Sequence, residues 1–468
     1  MHKHEIYFSK KKEVKSRKGI TMGFKKSRFN YIVNDENGDV ILYNTYKGIE
    51  SLHKVLPENK EYIDKVFHSE KIEDDLSPLF SKLVKNGYLV DEECDEIQSL
   101  KYLYARYINN DVLKITILPT EQCNYRCKYC YESFQRGKMT KELQDAIITY
   151  VEKNVSRFNG LNVSWFGGEP LLALDVIEYI SERLIQICKK HKKSYVADIT
   201  TNGYLLNLET MKKLYKYHVF TYQVTIDGIK VTHDAQKPLV NGNPTFDVVT
   251  QNLVDIKQNF KNKYVNFLIR TNFTPVIYEH LEEYVDFFYE RFNGDNRFHF
   301  FARPAGNWGG DTVKDFEANL FKKDKFEEVF EKMLSFDKVL DYSQHLNFVT
   351  PLGSICMFSF VNTYLIDAEG NVRKCSCDLD ADENIIGKLE LDGTMTIDEN
   401  KRAKWVNLFG EGEEHCKNCA LAPACLNNSC MASKVLNRNK DGLCDVYEKY
   451  YIKYILKLVN RSEEIEVL

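Results

Sequence analysis

At 468 residues the chain has room for about three domains of roughly 150 residues each, with real buried cores. Apolar residues make up 43% and charged residues 28%, which excludes disordered and fibrous classes. A net charge of −4 from 64 basic and 68 acidic residues gives no general attraction to nucleic acid, and no run approaches the ~20 apolar residues of a membrane helix.

The segment from Met1 to Arg28 carries ten Lys/Arg against two acids with no apolar stretch behind it, so it reads as a solvated arm and not a signal peptide. Phe29, Tyr31 and Val33 alternate, Asn37-Gly38 offers a tight turn, and Val40 and Leu42 alternate again, which predicts a hairpin. Ser77-Pro78 starts a helix with Leu79, Phe80, Leu83 and Val84 on one face, and Asn86-Gly87 ends it before a short strand at Tyr88–Val90. Residues 1–100 are therefore expected to form a small winged-helix-like unit.

From Val112 the pattern changes. Candidate strands at Leu113–Leu118, Asn162–Phe166, Val196–Thr200, Tyr222–Ile226, Val265–Arg270 and Phe298–Ala302 alternate with helical stretches such as Glu142–Arg157 and Leu171–Lys190. Six strand–helix units over 105–310 predict an α/β fold with a parallel sheet, closed or partly closed into a barrel. The C-terminal ends of such strands face the active site, and the unusual residues sit there. A charged helical connector is expected over 311–345, followed by a cysteine-dense unit over 346–468.

Thirteen cysteines are the anomaly: Cys123, Cys127 and Cys130 fall within eight residues, and eight more lie between Cys356 and Cys444. Clustering in a long chain without an export signal points to metal rather than to disulfides. Cys94 and Cys188 stand apart and read as ordinary thiols on a helix or loop surface. Three thiols in one loop, Cys123-x3-Cys127-x2-Cys130, leave a four-iron cluster one open iron, whereas four ligands would close it. The spacing alone also fits a zinc knuckle completed by a distant ligand.

With these residues the chain from about Leu113 onward resembles the radical S-adenosylmethionine (radical SAM) superfamily. Cys123, Cys127 and Cys130 match its signature, with Tyr129 at the aromatic position. Trp165-Phe166-Gly167-Gly168-Glu169-Pro170 matches the glycine-rich element that binds the methionine amino group. Thr201-Asn202 follows the third strand. Thr225-Ile226-Asp227-Gly228 with His233-Asp234 resembles the ribose-side strand, and Arg270 stands where the family places a partner for the methionine carboxylate. The resemblance implies a partial (β/α)6 barrel and a [4Fe–4S] cluster that chelates SAM through its open iron. Reductive SAM cleavage would then yield a hydrogen-abstracting 5′-deoxyadenosyl radical, with the cofactor doing the hard chemistry.

The second array, Cys356, Gly370, Cys375, Cys416-x2-Cys419-x5-Cys425-x4-Cys430 and Cys444, resembles the SPASM extension of peptide-maturing radical SAM enzymes, which binds two auxiliary [4Fe–4S] clusters. By that resemblance Cys356, Cys375 and Cys430 serve auxiliary cluster I, and Cys416, Cys419, Cys425 and Cys444 serve auxiliary cluster II. The family usually has three residues, not four, between the ligands matching Cys425 and Cys430. Cys377 is an extra thiol that either completes cluster I or leaves it an open iron for a substrate thiolate. The N-terminal unit resembles the recognition element that takes a leader peptide as an added strand.

These resemblances imply an oxidoreductase that binds a ribosomally made precursor peptide and cross-links it, with a Cys thioether as the favoured product and a carbon–carbon cross-link as a near relative. An anaerobic sulfatase maturase forming formylglycine is the second enzymatic reading, since Asp378, close after Cys375, resembles an acidic residue beside a cluster ligand in that group and is the candidate catalytic residue. A non-catalytic iron–sulfur or zinc scaffold is a third reading, and RNA modification a fourth, disfavoured by the acidic balance. The expected setting is a cytoplasm with little oxygen, a reductant such as flavodoxin or ferredoxin as electron source, and no membrane or nucleic-acid partner.

Overall fold

The computed structural model describes residues 23–35, 37–336, 350–353, 355–406, 418–425, 431–436, 453–456 and 467–468. The N-terminal part contributes β1 (Gly23–Lys26), β2 (Asn30–Asn34), β3 (Val40–Asn44), β4 (His53–Lys54), helix α1 (Pro57–His68), β5 (Ile72–Glu73), helix α2 (Pro78–Lys85) and β6 (Leu89–Asp91). The expected hairpin forms: Tyr31 lies opposite Tyr43 and Val33 opposite Ile41, and the β2–β3 pair continues into β4. A second antiparallel sheet has the order β5-β1-β6. Ser77 caps α2 by accepting from the Phe80 amide, with Pro78 at the first position, where its missing N–H costs no helical bond.

Helix α3 (Glu96–Ile108) leads into six parallel strands, β7 (Val112–Ile117), β8 (Gly160–Trp165), β9 (Ser194–Thr201), β10 (Val219–Thr225), β11 (Asn266–Phe273) and β12 (Phe298–Pro304). Each matches a strand read from the sequence to within a few residues. Between them run α4 (Lys141–Asn154), α5 (Leu174–Lys190), α6 (Leu208–Lys216), α7 (Lys230–Gln236), α8 (Phe246–Asn259), α9 (Pro275–Glu279) and α10 (Leu281–Phe292), followed by α11 (Asp311–Phe316) and α12 (Phe326–Ser335).

Period-two alternation divides the sheet into two chemically distinct faces. Ile115, Ile117, Val163, Trp165, Ala197, Ile199, Tyr222, Val224, Phe267 and Ile269 are buried in one continuous core with Leu143, Ile147, Ile177, Ile180, Leu184, Leu214 and Leu253 of the helices. Removing one such side chain, as in Ile199→Ala, costs ~2–5 kcal/mol. The opposite face carries Lys114, Ser164, Asp198, Gln223, Arg270, Asn272, His299 and Arg303, all partly accessible. A polar, half-open face on a sheet backed by a dry helical layer is what a reaction chamber requires.

The sheet does not stop at β7. Its order is β12-β11-β10-β9-β8-β7-β13-β14-β15-β16, with β13 (Thr363–Ile366), β14 (Asn371–Arg373), β15 (Ile385–Leu389) and β16 (Met395–Ile397). β13 pairs in parallel with β7, from Thr363 opposite Lys114 to Ile366 opposite Ile117. The stretch read from sequence as a separate cysteine-rich unit thus extends the same sheet as an antiparallel meander. The N-terminal part also packs on both, for Phe29, Leu100 and Tyr104 share a small core with Leu352 and Ala422. Cys188 corrects the surface expectation, since it is buried on α5. Among the described residues no helix is long and apolar enough to cross a membrane.

Candidate active site

The loop after β7 carries Cys123, Cys127 and Cys130, all partly buried. Its base is held by the end of β8. A Cβ on Gly167, whose φ is +123°, would lie 2.3 Å from the Thr120 carbonyl oxygen, and one on Gly168 would lie 2.5 Å from those of Glu121 and Gln122. The glycine pair is therefore needed for backbone approach to the cysteine loop. A second brace comes from the segment after α7: Lys128 N–H donates to Gln236 O at 3.0 Å, Arg126 N–H to Pro238 O at 2.9 Å, and Val240 N–H to Asn124 O at 2.9 Å.

Each of two sulfurs has donors from outside the loop or beside it. Cys123 Sγ accepts from the Tyr125 amide at 3.4 Å and lies 3.9 Å from Asn202 Nδ2. Cys127 Sγ lies 3.6 Å from the ammonium of Lys237. Burial pushes the Cys123 thiol up to about 12 and raises those of Cys127 and Cys130 as well, so without metal all three are protonated. Among the described residues no three His, Cys, Asp or Glu side chains converge as a ready-made metal site. The donor set nevertheless fits an iron–sulfur group: three thiols on one braced loop, with a cation and an amide directed at their sulfurs. Binding would release the thiol protons.

Tyr129 donates its hydroxyl hydrogen to Asp227 Oδ2 and accepts from Lys237 Nζ at 3.2 Å and Asn272 Nδ2 at 3.1 Å. Asp227, fully buried just beyond β10, accepts the Asn272 amide on Oδ1 at 2.8 Å. Burial raises its carboxyl pKa against the pull of Lys237 and these donors. Burial also works against the charge on Lys237, but Cys127, Tyr129, Asp227 and Tyr125 gather around it and prevail, holding its pKa well above that of a free lysine. His233 Nδ1 accepts from the Asp227 amide at 3.1 Å, and burial lowers its pKa to about 3, so it is neutral.

Other residues read from the sequence take different positions. Glu169 is fully buried, and its carboxylate accepts from Leu171 N–H (3.0 Å), Thr201 Oγ1 (2.7 Å) and Asn202 N–H (2.7 Å). Glu169 and Thr201 thus fasten the ends of β8 and β9 together and present Asn202 to Cys123 and Asn124. Asp234 Oδ1 accepts the Thr245 and Phe246 amides, both at 2.8 Å, at the start of α8. Thr225 and Arg270 are register partners on β10 and β11. The Arg270 guanidinium bonds Asn272 Oδ1 at 3.2 Å and lies 5.2 Å from the centre of the Phe301 ring. Burial, with Arg303 nearby, lowers its pKa to about 10.

The cysteine loop is tied directly to the second cysteine array. Arg136 donates to Asp380 Oδ1 at 2.6 Å and Ser133 to Asp380 Oδ2 at 3.1 Å. Arg136 also donates to Glu121 Oε2 at 3.0 Å. The turn Cys375–Asp378 is pinned by Asn384, whose Oδ1 accepts the Cys375 amide at 2.9 Å and whose Nδ2 donates to the carbonyls of Cys375 (3.0 Å), Cys377 (3.1 Å) and Asp378 (3.2 Å). Asp378 has a positive φ of 48° and stands against Gly309, while Gly310 stands against Tyr131 of the cysteine loop. Burial, and after it the nearby Cys375, pushes the Cys356 thiol up to about 11. No disulfide joins the described cysteines. Cys419 is half-buried against the main core, and Cys425 ends the short helix Ala422–Cys425, its side chain outside the description. Cys416, Cys430 and Cys444 lie outside the described residues.

Sequence reading missed Lys237, Asn272, Arg303 and Asn384. Lys237 had a signal: it follows His233 by four positions, one helical turn on. Asn384 had none, because nothing local marks a side chain that pins a turn several residues upstream.

A model of the radical SAM superfamily matches residues 117–288. The chain is 25% identical over 305 residues to a radical SAM cyclopropyl synthase of Paramaledivibacter caminithermalis, covering 52% of this chain and only 62% of that protein. It is 26% identical over 379 residues to a cysteine-type anaerobic sulfatase-maturating enzyme of Clostridium novyi, covering 74% of this chain and 96% of that enzyme. A solved structure of an enzyme designated anSMEcpe, with bound AdoMet and Kp18Cys peptide, shares the fold at TM-score 0.54 and 21% identity, over 75% of this chain and 98% of that one.

Proposed function

We propose that this chain, which carries a radical SAM domain over residues 117–288, is a peptide maturase that cross-links residues of a precursor peptide, with a Cys thioether as product. The observation that carries this reading is the tie between the two cysteine arrays, Arg136 to Asp380 at 2.6 Å, which keeps the three-thiol loop beside the Cys375–Asp378 turn. An adenosyl-radical centre and a thiol array at one sheet mouth suit a reaction that removes a hydrogen atom from carbon and joins that carbon to sulfur.

In this reading Cys123, Cys127 and Cys130 hold the SAM-binding [4Fe–4S] cluster. When bound, cluster and SAM supply one-electron cleavage of the sulfonium and a hydrogen-abstracting radical. Arg270 presents a planar cation to the methionine carboxylate. Gly167 and Gly168 keep the backbone low enough for their carbonyls to meet the amino group. Asn202 positions Cys123, and the Tyr129–Asp227 pair sets the ribose side. Cys356, Cys375 and Cys430, with or without Cys377, hold one auxiliary cluster, and Cys416, Cys419, Cys425 and Cys444 hold a second. Asp378 takes a proton from the substrate thiol. The N-terminal unit binds a leader, and a flavodoxin- or ferredoxin-type protein supplies electrons in a low-oxygen cytoplasm.

Formylglycine formation is the second reading, supported by the 96% coverage of the sulfatase-maturating relative. The cyclopropyl synthase, matched over 62% of its length, supports carbon–carbon bond formation as a variant of the first. One experiment separates them. The anaerobically reconstituted enzyme, SAM and a reductant are incubated with candidate Cys-containing precursor peptides, and the peptide mass is read. Loss of two hydrogens with the sulfur retained and its thiol blocked to alkylation means a thioether. Loss of the sulfur means formylglycine. Loss of two hydrogens with the thiol still reactive means a carbon–carbon link.

A further inference from the structure

Lys237 is an ammonium buried to within 5% of full enclosure, and its place is built rather than accidental. Its backbone N–H donates to His233 O at 2.8 Å, and its carbonyl accepts from Thr245 Oγ1 at 2.8 Å. The residues flanking it, Gln236 and Pro238, accept the amides of Lys128 and Arg126 from the cysteine loop. The Nζ lies 3.6 Å from Cys127 Sγ and 3.2 Å from the Tyr129 hydroxyl, between two aromatic rings whose centres are 5.7 Å (Tyr125) and 5.6 Å (Tyr129) away. Burying an ammonium costs several kcal/mol unless anionic partners offset it. The carboxylate Asp227 is one phenol away, through Tyr129. The other partner in direct reach is the Cys127 sulfur.

We propose that Lys237 sets the reduction potential of the cluster on the three-thiol loop, by donating a charged hydrogen bond to the Cys127 sulfur. The inference rests on the reading that Cys127 is a cluster ligand. Reduction adds one electron, and so one negative charge, to the cluster. A fixed cation within van der Waals reach of a ligating sulfur favours the reduced state, because hydrogen bonds to sulfur and local charge are what tune such centres. The low dielectric around a buried group makes this larger than a surface charge would achieve. Lys237 is thus a positioning residue: it touches a ligand, not the substrate.

The test uses full-length enzyme reconstituted without oxygen, as wild type and as the variants Lys237→Met, Lys237→Gln and Lys237→Arg. Iron and sulfide are counted, and the midpoint potential is read by EPR-monitored titration of the signal that changes on adding SAM and is missing in Cys123→Ala. Both neutral variants should shift the reduction equilibrium at least tenfold toward the oxidised form, a potential lower by ~59 mV for a one-electron couple. Lys237→Arg should stay near wild type. If iron is retained in either neutral variant and the potential does not move, the inference is wrong while the cluster reading stands. If the wild type shows no SAM-sensitive signal and Cys123→Ala loses no iron, the cluster reading itself fails.

Discussion

Tyr129 and Asp227, separated by 98 positions in sequence, are joined by a hydrogen bond from the phenol to the carboxylate. One belongs to the cysteine loop after β7, the other to the turn after β10, so the bond spans the sheet mouth. Asp227 is fully buried, and its other oxygen takes the Asn272 amide at 2.8 Å. Tyr129→Phe would leave Oδ2 without its donor in a dry setting, which costs ~1–3 kcal/mol. The expected result is a lower denaturation midpoint together with weaker SAM binding by calorimetry. A variant as stable as wild type would mean that the bond contributes nothing net.

Gly168→Ala is expected to be worse than its chemistry suggests. The added Cβ would meet two carbonyl oxygens at 2.5 Å, those of Glu121 and Gln122, and neither is the end of a flexible side chain. The cysteine loop must move away, taking Cys123 with it. Iron retained after reconstitution should fall by at least half, and a variant with full iron content would refute this account. Gly242→Ala is the control: its φ is +83°, but nothing lies within 4 Å of the new atom, so only ~1–2 kcal/mol of backbone strain is expected.

How much of this was legible beforehand follows from what kind of contact each residue makes. The six parallel strands were readable because apolar alternation and helical spacing are local signals. The extension of the sheet through β13 was not, since Thr363 pairs with Lys114 across most of the chain, and a four-residue strand carries no periodicity of its own. In the site, Cys123, Cys127, Cys130, Gly167, Gly168 and Arg270 announce themselves by type and spacing. Asp234 has a structural use that its motif does not reveal. A motif drew attention to a carboxylate that the fold uses to cap α8, because two free amides at a helix start compete for any nearby acceptor.

The polar face of the sheet should leave a pH signature. Asp198 on β9 accepts from Ser164 on β8 at 2.8 Å, and burial, opposed by that bond and by Lys114, raises its pKa from 3.8 to about 6. An acid whose folded pKa is raised holds its proton more tightly when folded. Its contribution is therefore fully present below pH 3.8 and is lost as pH rises through about 6. Asp198→Asn should flatten this part of the dependence of unfolding free energy on pH. Denaturant melts across that window check it, and an unchanged slope would assign the titration to other groups.

Cys375 and Cys377 are two positions apart yet differently held, which predicts unequal consequences of losing them. Cys375 is buried, its amide bound to Asn384 Oδ1 at 2.9 Å, and its sulfur accepts the Cys377 amide at 3.3 Å. Those features suit a fixed ligand. Cys377 is partly accessible and interacts with Tyr131 of the cysteine loop. Cys375→Ala should lower the iron content by about one cluster's worth, ~4 atoms per chain, and abolish product while 5′-deoxyadenosine still forms. Cys377→Ala should keep its iron and its SAM cleavage but lose product. Equal iron loss in both variants would make Cys377 a ligand and close the iron left for a substrate thiolate. Failure of Cys375→Ala to lose iron would remove the auxiliary cluster from this turn altogether.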